Sequence, residues 1–359
     1  MVESIELKQQ SNSRLVFLDF IRGIAALTVF FGHAGEHIWP EFRNFTHDSF
    51  NFGKFGLVLF FLTSGFIIPF SLERGESARR FWIGRFFRLY PLYWTSLASF
   101  ITLYTIGFTS IVQGDFRANL IRNSLVNITM FQDFVGVPHA NDLYNTLTLE
   151  LVFYIACTIL FLFKLHRKSY VWAWSVLGLT IVGSVLVPLQ LEKRLPMAAM
   201  FYILSMFVGT VLYRYYSKVV TKRQVVQLLV AVCCIAVAGI YINYVLYKKG
   251  DDIEHFTFLA VVAPWATGYA FFLGVFTLRN RIFPKVFTWL GTISYSVYLM
   301  HPTLLVVTPR FSSGLLSLAV MLAGTLILAS ATYHFIEHPL IGFGRKIQKK
   351  IVVAQQISI

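Results

Sequence analysis

The chain has 359 residues, of which 56% are hydrophobic and only 13% charged, and it carries a formal net charge of +14. A soluble globular protein keeps about 25% of its residues charged, so these figures exclude water as the natural solvent and point to lipid. The three cysteines, Cys157, Cys233 and Cys234, lie inside apolar blocks with no metal-ligand spacing and are read as packing residues.

In chain order, apolar blocks fall at roughly 15–39, 53–72, 89–111, 146–165, 170–191, 196–213, 225–247, 257–278, 287–308 and 315–337. Most run about 18 to 24 residues, enough to cross a hydrocarbon core about 30 Å thick. The sequence therefore predicts an all-α, polytopic membrane bundle of about ten transmembrane helices. The first block follows a polar segment, contains Asp19 and Arg22 and lacks a small-residue cleavage pattern, so it is read as a retained span rather than a signal peptide. An even number of spans puts both termini on one side. With the N terminus in the cytoplasm, the internal segments hold 21 Lys and Arg and the external ones nine, and ten acids bring the outer face close to neutrality. Basic residues accumulate on the cytoplasmic side of membrane proteins. Insertion topology thus accounts for the basicity, and no nucleic acid is expected as a partner. The longest connection, about 112–145, is external and long enough to form a small cap. No linker, charge run or internal repeat divides residues 1–359, which are read as a single membrane unit with no appended soluble domain.

Chemistry is sought among ionisable groups inside the apolar spans, where a charge near the centre costs at least about 2.5–3.5 kcal/mol. The first span holds Asp19, Arg22 and His33, the fourth Glu150 and the ninth His301. Arg22 and His33 are separated by eleven positions, which places them within about 20° of each other around the helix and about 16 Å apart along it. Asp19 lies one turn before Arg22 and can pair with it. His33 and Glu150 lie at similar depths below the outer ends of their spans. A carboxylate beside the imidazole would fix its tautomer and raise its basicity. The plainer alternative makes Asp19 and Arg22 a capping pair at the membrane edge and His33 a satisfied core imidazole. Arg79, Arg80, Arg85 and Arg88 occupy an internal segment interleaved with aromatics. The positive-inside rule alone would place cations there, yet all are arginine, whose guanidinium suits bidentate phosphate binding. Gly65 predicts a close helix approach. His301-Pro302 predicts a local helix break, and His334 and His338 are read as residues at the edge of the last span.

Several of these residues are arranged as in the membrane-bound acyltransferase-3 family, which includes bacterial O-acetylases of surface polysaccharides. The resemblance runs from Asp19-x-x-Arg22 and the spacing of Arg22 to His33, through Phe60-Phe61-Leu62-Thr63-Ser64-Gly65-Phe66 and the arginine segment leading to Pro91-Leu92-Tyr93-Trp94. It continues with Thr146-Leu147-Thr148-Leu149-Glu150 and its sequel Phe153-Tyr154, then Ser294 to Pro302, and Ile336-Glu337-His338-Pro339. The resemblance covers roughly 15–340. It implies a multi-pass protein of a bacterial cytoplasmic (inner) membrane that takes an acyl group, usually acetyl, from cytoplasmic acyl-CoA to a hydroxyl of a surface or lipid-linked glycan, with no metal. In that reading Asp19, Arg22, Arg79, Arg80, Arg85 and Arg88 hold the donor. His33 is the catalytic base or acyl carrier, Glu150 orients it or binds the acceptor, and a hydroxyl such as that of Tyr295 stabilises the oxyanion. Two departures bear on the acceptor: Asn145 stands where many members have Trp, and Leu151 where they have a second acid. Some members also carry a soluble hydrolase-like domain, without which the membrane part must complete the transfer itself. The rival readings are a transporter or flippase for a lipid-linked sugar, with Arg22, His33 and Glu150 as a relay, and a structural or sensory membrane protein without chemistry.

Overall fold

The structure, a computed structural model, describes residues 15–75, 77–108, 114–247, 256–308 and 313–357. In chain order its helices are α1 (Val16–Ile38), α2 (Pro40–Asp48), α3 (Phe52–Gly75), α4 (Ala78–Thr105), α5 (Gly114–Ala118), α6 (Leu120–Asn127), α7 (Tyr144–Leu162), α8 (Ser169–Ile181) and α9 (Val187–Leu191). They continue with α10 (Ala198–Tyr216), α11 (Lys222–Tyr241), α12 (Phe258–Thr277), α13 (Lys285–Thr292), α14 (Ser294–Val307), α15 (Gly314–Thr332) and α16 (His338–Ile357). No strand occurs among the described residues. An apolar solvent requires this, because a helix satisfies its backbone N–H and C=O groups within one segment.

Among the described residues eight helical segments are long and apolar enough to cross a membrane, or nine if α13 and α14, bent by 76°, form one span. Every block expected from the sequence overlaps a helix, but the one at 89–111 overlaps α4 only as far as Thr105, α4 is not among those eight or nine, and residues 109–111 lie outside the described residues. The first turns of α4 carry Arg79, Arg80, Arg85 and Arg88. Helix α3 is the hub, packed against α1, α4, α7, α10 and α12. It meets α10 at glycines on both sides: a Cβ on Gly65 would strike the backbone of Met206, and one on Gly209 the carbonyl of Leu62. Thr210 Oγ1 donates to the Gly65 carbonyl at 2.9 Å across the same contact. The close approach expected at Gly65 is therefore present, driven by backbone proximity that only small residues allow. Gly23 and Gly291 perform the same service between α1 and α13, against the carbonyls of Phe287 and Asp19.

Two expectations need correction. The break expected at His301-Pro302 lies instead at Ile293, between α13 and α14. Ser294 Oγ donates to the Gly291 carbonyl there at 2.9 Å and closes the last turn of α13. Pro302 stays inside α14; the carbonyl that loses its donor is that of Tyr298, in the turn against which the His301 ring folds back. Arg214, counted from sequence among the loop cations of the internal segments, is instead 3% exposed. Its guanidinium forms a bidentate pair with Glu73 at the end of α3, while Nε donates to Ser169 Oγ at 3.0 Å and Nη2 to the His166 carbonyl at 2.8 Å. That cluster ties α3, α10 and the start of α8 together at the end of the bundle where α4 begins, called here the basic end.

At the opposite end, residues 114–143 fold into the compact cap expected from their length. Asn127 organises it: Nδ2 donates to the carbonyls of Asn123 and Pro138, and Oδ1 accepts from the backbone N–H of Ala140. Tyr90, Tyr93 and Trp94 of α4 fasten it by donating to the carbonyls of Thr129, Asn127 and Ile128. Of the cysteines, Cys157 is buried as expected, whereas Cys233 and Cys234 are exposed on the outside of α11.

Candidate active site

Two adjoining cavities open the bundle from the basic end. The inner one, a chamber of about 160 Å³, lies among α1, α3, α4, α7 and α14 and brings together Arg22, Arg85, Arg88, Glu150 and Tyr295. The other, a basin of about 520 Å³ at the α3–α4 turn, shares Ile67, Arg85 and Arg88 with the chamber. Among the described residues its wall carries Arg74, Arg80, Arg85, Arg88, Arg345 and Lys349 and no acid.

The chamber wall carries three guanidiniums, those of Arg22, Arg85 and Arg88, and one carboxylate, that of Glu150. Besides Arg88, the charges that bear most on Arg22 are those of Asp19, Glu337 and Glu150. Asp19 and Glu337 do not line the chamber but lie near enough to Arg22 to offset part of its positive charge, as a buried cation requires. Glu150 Oε1 accepts from Ser64 Oγ at 2.9 Å and from Tyr154 Oη at 2.7 Å. Arg85 donates to Ser71 Oγ at 2.8 Å and lies over the rings of Phe81 and Tyr154. Tyr295 lines the chamber, but its hydroxyl is given to the Leu89 carbonyl at 2.9 Å. Arg80 lies in the basin wall, with a buried Nε that has no hydrogen-bond partner among the described residues. Arg79 is exposed and lines neither cavity.

Sequence reasoning quoted Glu337 within the Ile336–Pro339 motif but gave it no role. It is 2% exposed, accepts from Ser296 Oγ at 2.8 Å through Oε2, and leaves Oε1 buried without a hydrogen-bond partner among the described residues. It had been taken for the last residue of a span. A π-helical turn over Tyr333–Glu337 instead carries the chain on into α16 and turns this carboxylate inward.

His33 lies beyond the far end of the chamber and does not line it. Its partner is His301, with Nδ1 to Nε2 at 3.0 Å and ring centroids 5.3 Å apart. The acids that bear on His33 most strongly are Glu36 and then Asp142, so the expected pairing with Glu150 does not form. Similar depth did not bring the two together because α7 packs on α3, whose Ser64 takes Glu150 first. The hydrogen-bond chain fixes the tautomers. His301 Nδ1 lies 3.2 Å from the Val297 carbonyl, which can only accept, so that nitrogen carries the proton. Neutral His301 then presents a bare Nε2, and His33 Nδ1 donates to it. The lone pair of His33 consequently sits on Nε2, beside Gly53, where even a Cβ would lie 3.5 Å away. Tyr298 lines the chamber, shares a hydrogen bond with Thr146 Oγ1 at 2.8 Å and has its ring 6.1 Å from that of His301, the partner of His33. The arrangement can hold an anion at the basic end, admit a slender neutral chain between the charged groups of the chamber, and offer an imidazole lone pair beyond its other end.

A family model described as an acyltransferase domain matches residues 15–334. The chain is 24% identical to nodulation protein 10 of Rhizobium leguminosarum bv. viciae, over 95% of this chain and 96% of that protein. It is 23% identical to the peptidoglycan O-acetyltransferase OatA of Listeria monocytogenes, over 82% of this chain and 53% of that one. To the putative peptidoglycan O-acetyltransferase YrhL of Bacillus subtilis it is 24% identical, over 93% of this chain and 56% of that one. It therefore spans nearly the whole nodulation protein and about half the length of the other two. No solved structure matches it.

Proposed function

The chain belongs to this acyltransferase family, and from that premise we propose that it is a membrane-bound O-acetyltransferase, moving an acetyl group from cytoplasmic acetyl-CoA to a hydroxyl of a surface or lipid-linked glycan. The observation that carries the reading is the division of charge between the two cavities. The basin, with six cations and no acid among the described residues of its wall, suits the phosphates of coenzyme A, and the narrower chamber, where Glu150 with Asp19 and Glu337 nearby offsets part of the guanidinium charge, suits its neutral pantetheine arm. Arg22 and His33 stand about 16 Å apart along α1, a distance comparable with that arm. The basic end is then cytoplasmic, in accord with the excess of Lys and Arg there. The names of the two peptidoglycan relatives support acetyl as the group and a glycan hydroxyl as its destination.

In this mechanism Arg80, Arg85 and Arg88 hold the phosphates, and Arg22 steadies the arm, kept in place by Asp19 and Glu337. Glu150 offsets the guanidinium charge and leaves the orientation of His33 to His301. His33 Nε2 takes the proton of the acceptor hydroxyl as that oxygen attacks the thioester carbon; the C–S bond breaks and the thiolate leaves with coenzyme A. The alternative sequence, attack by His33 Nε2 itself followed by transfer to the hydroxyl, uses the same lone pair. Tyr295, bound to Leu89, acts on the chamber wall and not on the oxyanion.

Purified protein given radiolabelled acetyl-CoA should release coenzyme A and pass label to a glycan acceptor or to itself. A preparation that binds or moves glycolipid while leaving acetyl-CoA intact would instead establish the transporter reading.

A further inference from the structure

We propose that α16, which lies beyond the residues matched by the family model, is the second wall of the donor basin and binds the phosphorylated nucleotide of the donor through Arg345 and Lys349. The inference rests on the donor reading above. Helix α16 is held against α4 by specific contacts. Gln348 Nε2 donates to the Arg80 carbonyl at 2.6 Å, passing over Gly84, where a Cβ would collide with that amide. Gly344 lies against Phe87, and the Phe87 and Phe343 rings meet edge to face at 5.4 Å. This seating turns one face of the helix toward the basin. Arg345 and Lys349, four residues apart and so on one face, both line it, whereas Lys346 and Lys350 do not.

A merely solvated basic face would explain Lys346 and Lys350 and leave the basin unexplained. There, cations from α3, α4 and α16 converge with no carboxylate among the described residues of the wall, and Arg80 keeps a buried Nε without a hydrogen-bond partner among them. Like charges gathered in this way repel until an anion is placed between them. The basin also has about three times the volume of the chamber it joins, so it can take the bulky, charged end of a molecule whose thin end lies inside. The ligand class is thus a nucleoside bearing several phosphate groups.

The test compares coenzyme A with pantetheine, which lacks the nucleotide, by titration calorimetry on the purified full chain. The wild type should bind coenzyme A much more tightly than pantetheine. Combining Arg345→Glu with Lys349→Glu should weaken coenzyme A by about tenfold or more, since a tenfold change corresponds to about 1.4 kcal/mol, and should leave pantetheine unaffected. Reversing Lys346 and Lys350 to Glu should keep coenzyme A affinity within about twofold, because that shift is under a third of the same interval. If a wild type that prefers coenzyme A is matched by the Arg345→Glu, Lys349→Glu variant, the role of α16 is overturned and the donor reading stands. A wild type with no preference for coenzyme A overturns both. Should the glutamate variant lose both ligands through misfolding, Arg345→Gln with Lys349→Gln is judged by the same ratio of affinities.

Discussion

Replacing His301 by alanine removes the group that decides which nitrogen of His33 carries the proton. In the resting state the lost contact is a neutral hydrogen bond of 3.0 Å between a partly buried His33 and a fully buried His301. When His33 Nε2 accepts a proton, the same contact becomes charge-assisted, and such bonds contribute about 1.5–3 kcal/mol. Only its excess over the neutral bond of the resting state, about 1–1.5 kcal/mol, acts on the barrier, so at about 1.36 kcal/mol per tenfold in rate kcat should fall about 5- to 13-fold in His301→Ala. The donor's phosphates are assigned to the basic end, far from this contact, so KM for acetyl-CoA should change little. Glutamine can accept from His33 Nδ1 through its amide oxygen, so His301→Gln should recover part of the loss. The assay is steady-state release of coenzyme A by protein whose folded fraction is set by thermal unfolding. A His301→Ala enzyme with kcat within about twofold of wild type, less than a difference of about 1 kcal/mol implies, would refute the tautomer argument.

Three further perturbations test other parts of the account. His33→Ala should abolish transfer while leaving coenzyme A affinity intact in calorimetry; retained turnover would reject His33 as base or carrier. Arg214→Met should destabilise the fold by about 3–5 kcal/mol by leaving Glu73 unpaired, and Glu73→Leu added to it should restore much of that; unfolding curves showing additive losses would contradict the buried pair. Gly65→Ala should cost about 1–3 kcal/mol by forcing α3 from α10, whereas Gly75→Ala, with no atom within 4 Å of its Cβ, should be close to neutral; equal melting shifts would remove the close-approach argument.

Much of the fold was legible because lipid makes helix the default and block length then locates each segment. The regions around Arg22, Arg85, Arg88 and Glu150 were legible too, since a charge inside an apolar block stands out whatever its neighbours. Rotation about each helix axis was not legible. Depth placed His33 level with Glu150, but depth does not say which neighbour a side chain faces, and α3 comes between them through Ser64. His301 was visible as a residue and hidden as a partner, because the bend that aims α14 lies at Ile293, where neither Gly nor Pro stands, and not at the conspicuous Pro302. Glu337 was hidden by a boundary: the apolar block ends there, while the helix continues through a π-turn into the amphipathic α16. A signal was available in that amphipathic stretch, whose basic residues recur at helical spacing after the last span.

The central claim is that an acyl group enters at the basic end of the bundle and leaves from His33 at the other. The most direct measurement uses proteoliposomes of one orientation, with radiolabelled acetyl-CoA supplied to a single face and a glycan acceptor enclosed on the other. Label should cross only when acetyl-CoA meets the face bearing Arg80 and Arg345, and not at all in His33→Ala. Labelling of an acceptor confined to the donor's own side, or equal transfer from either face, would contradict the account.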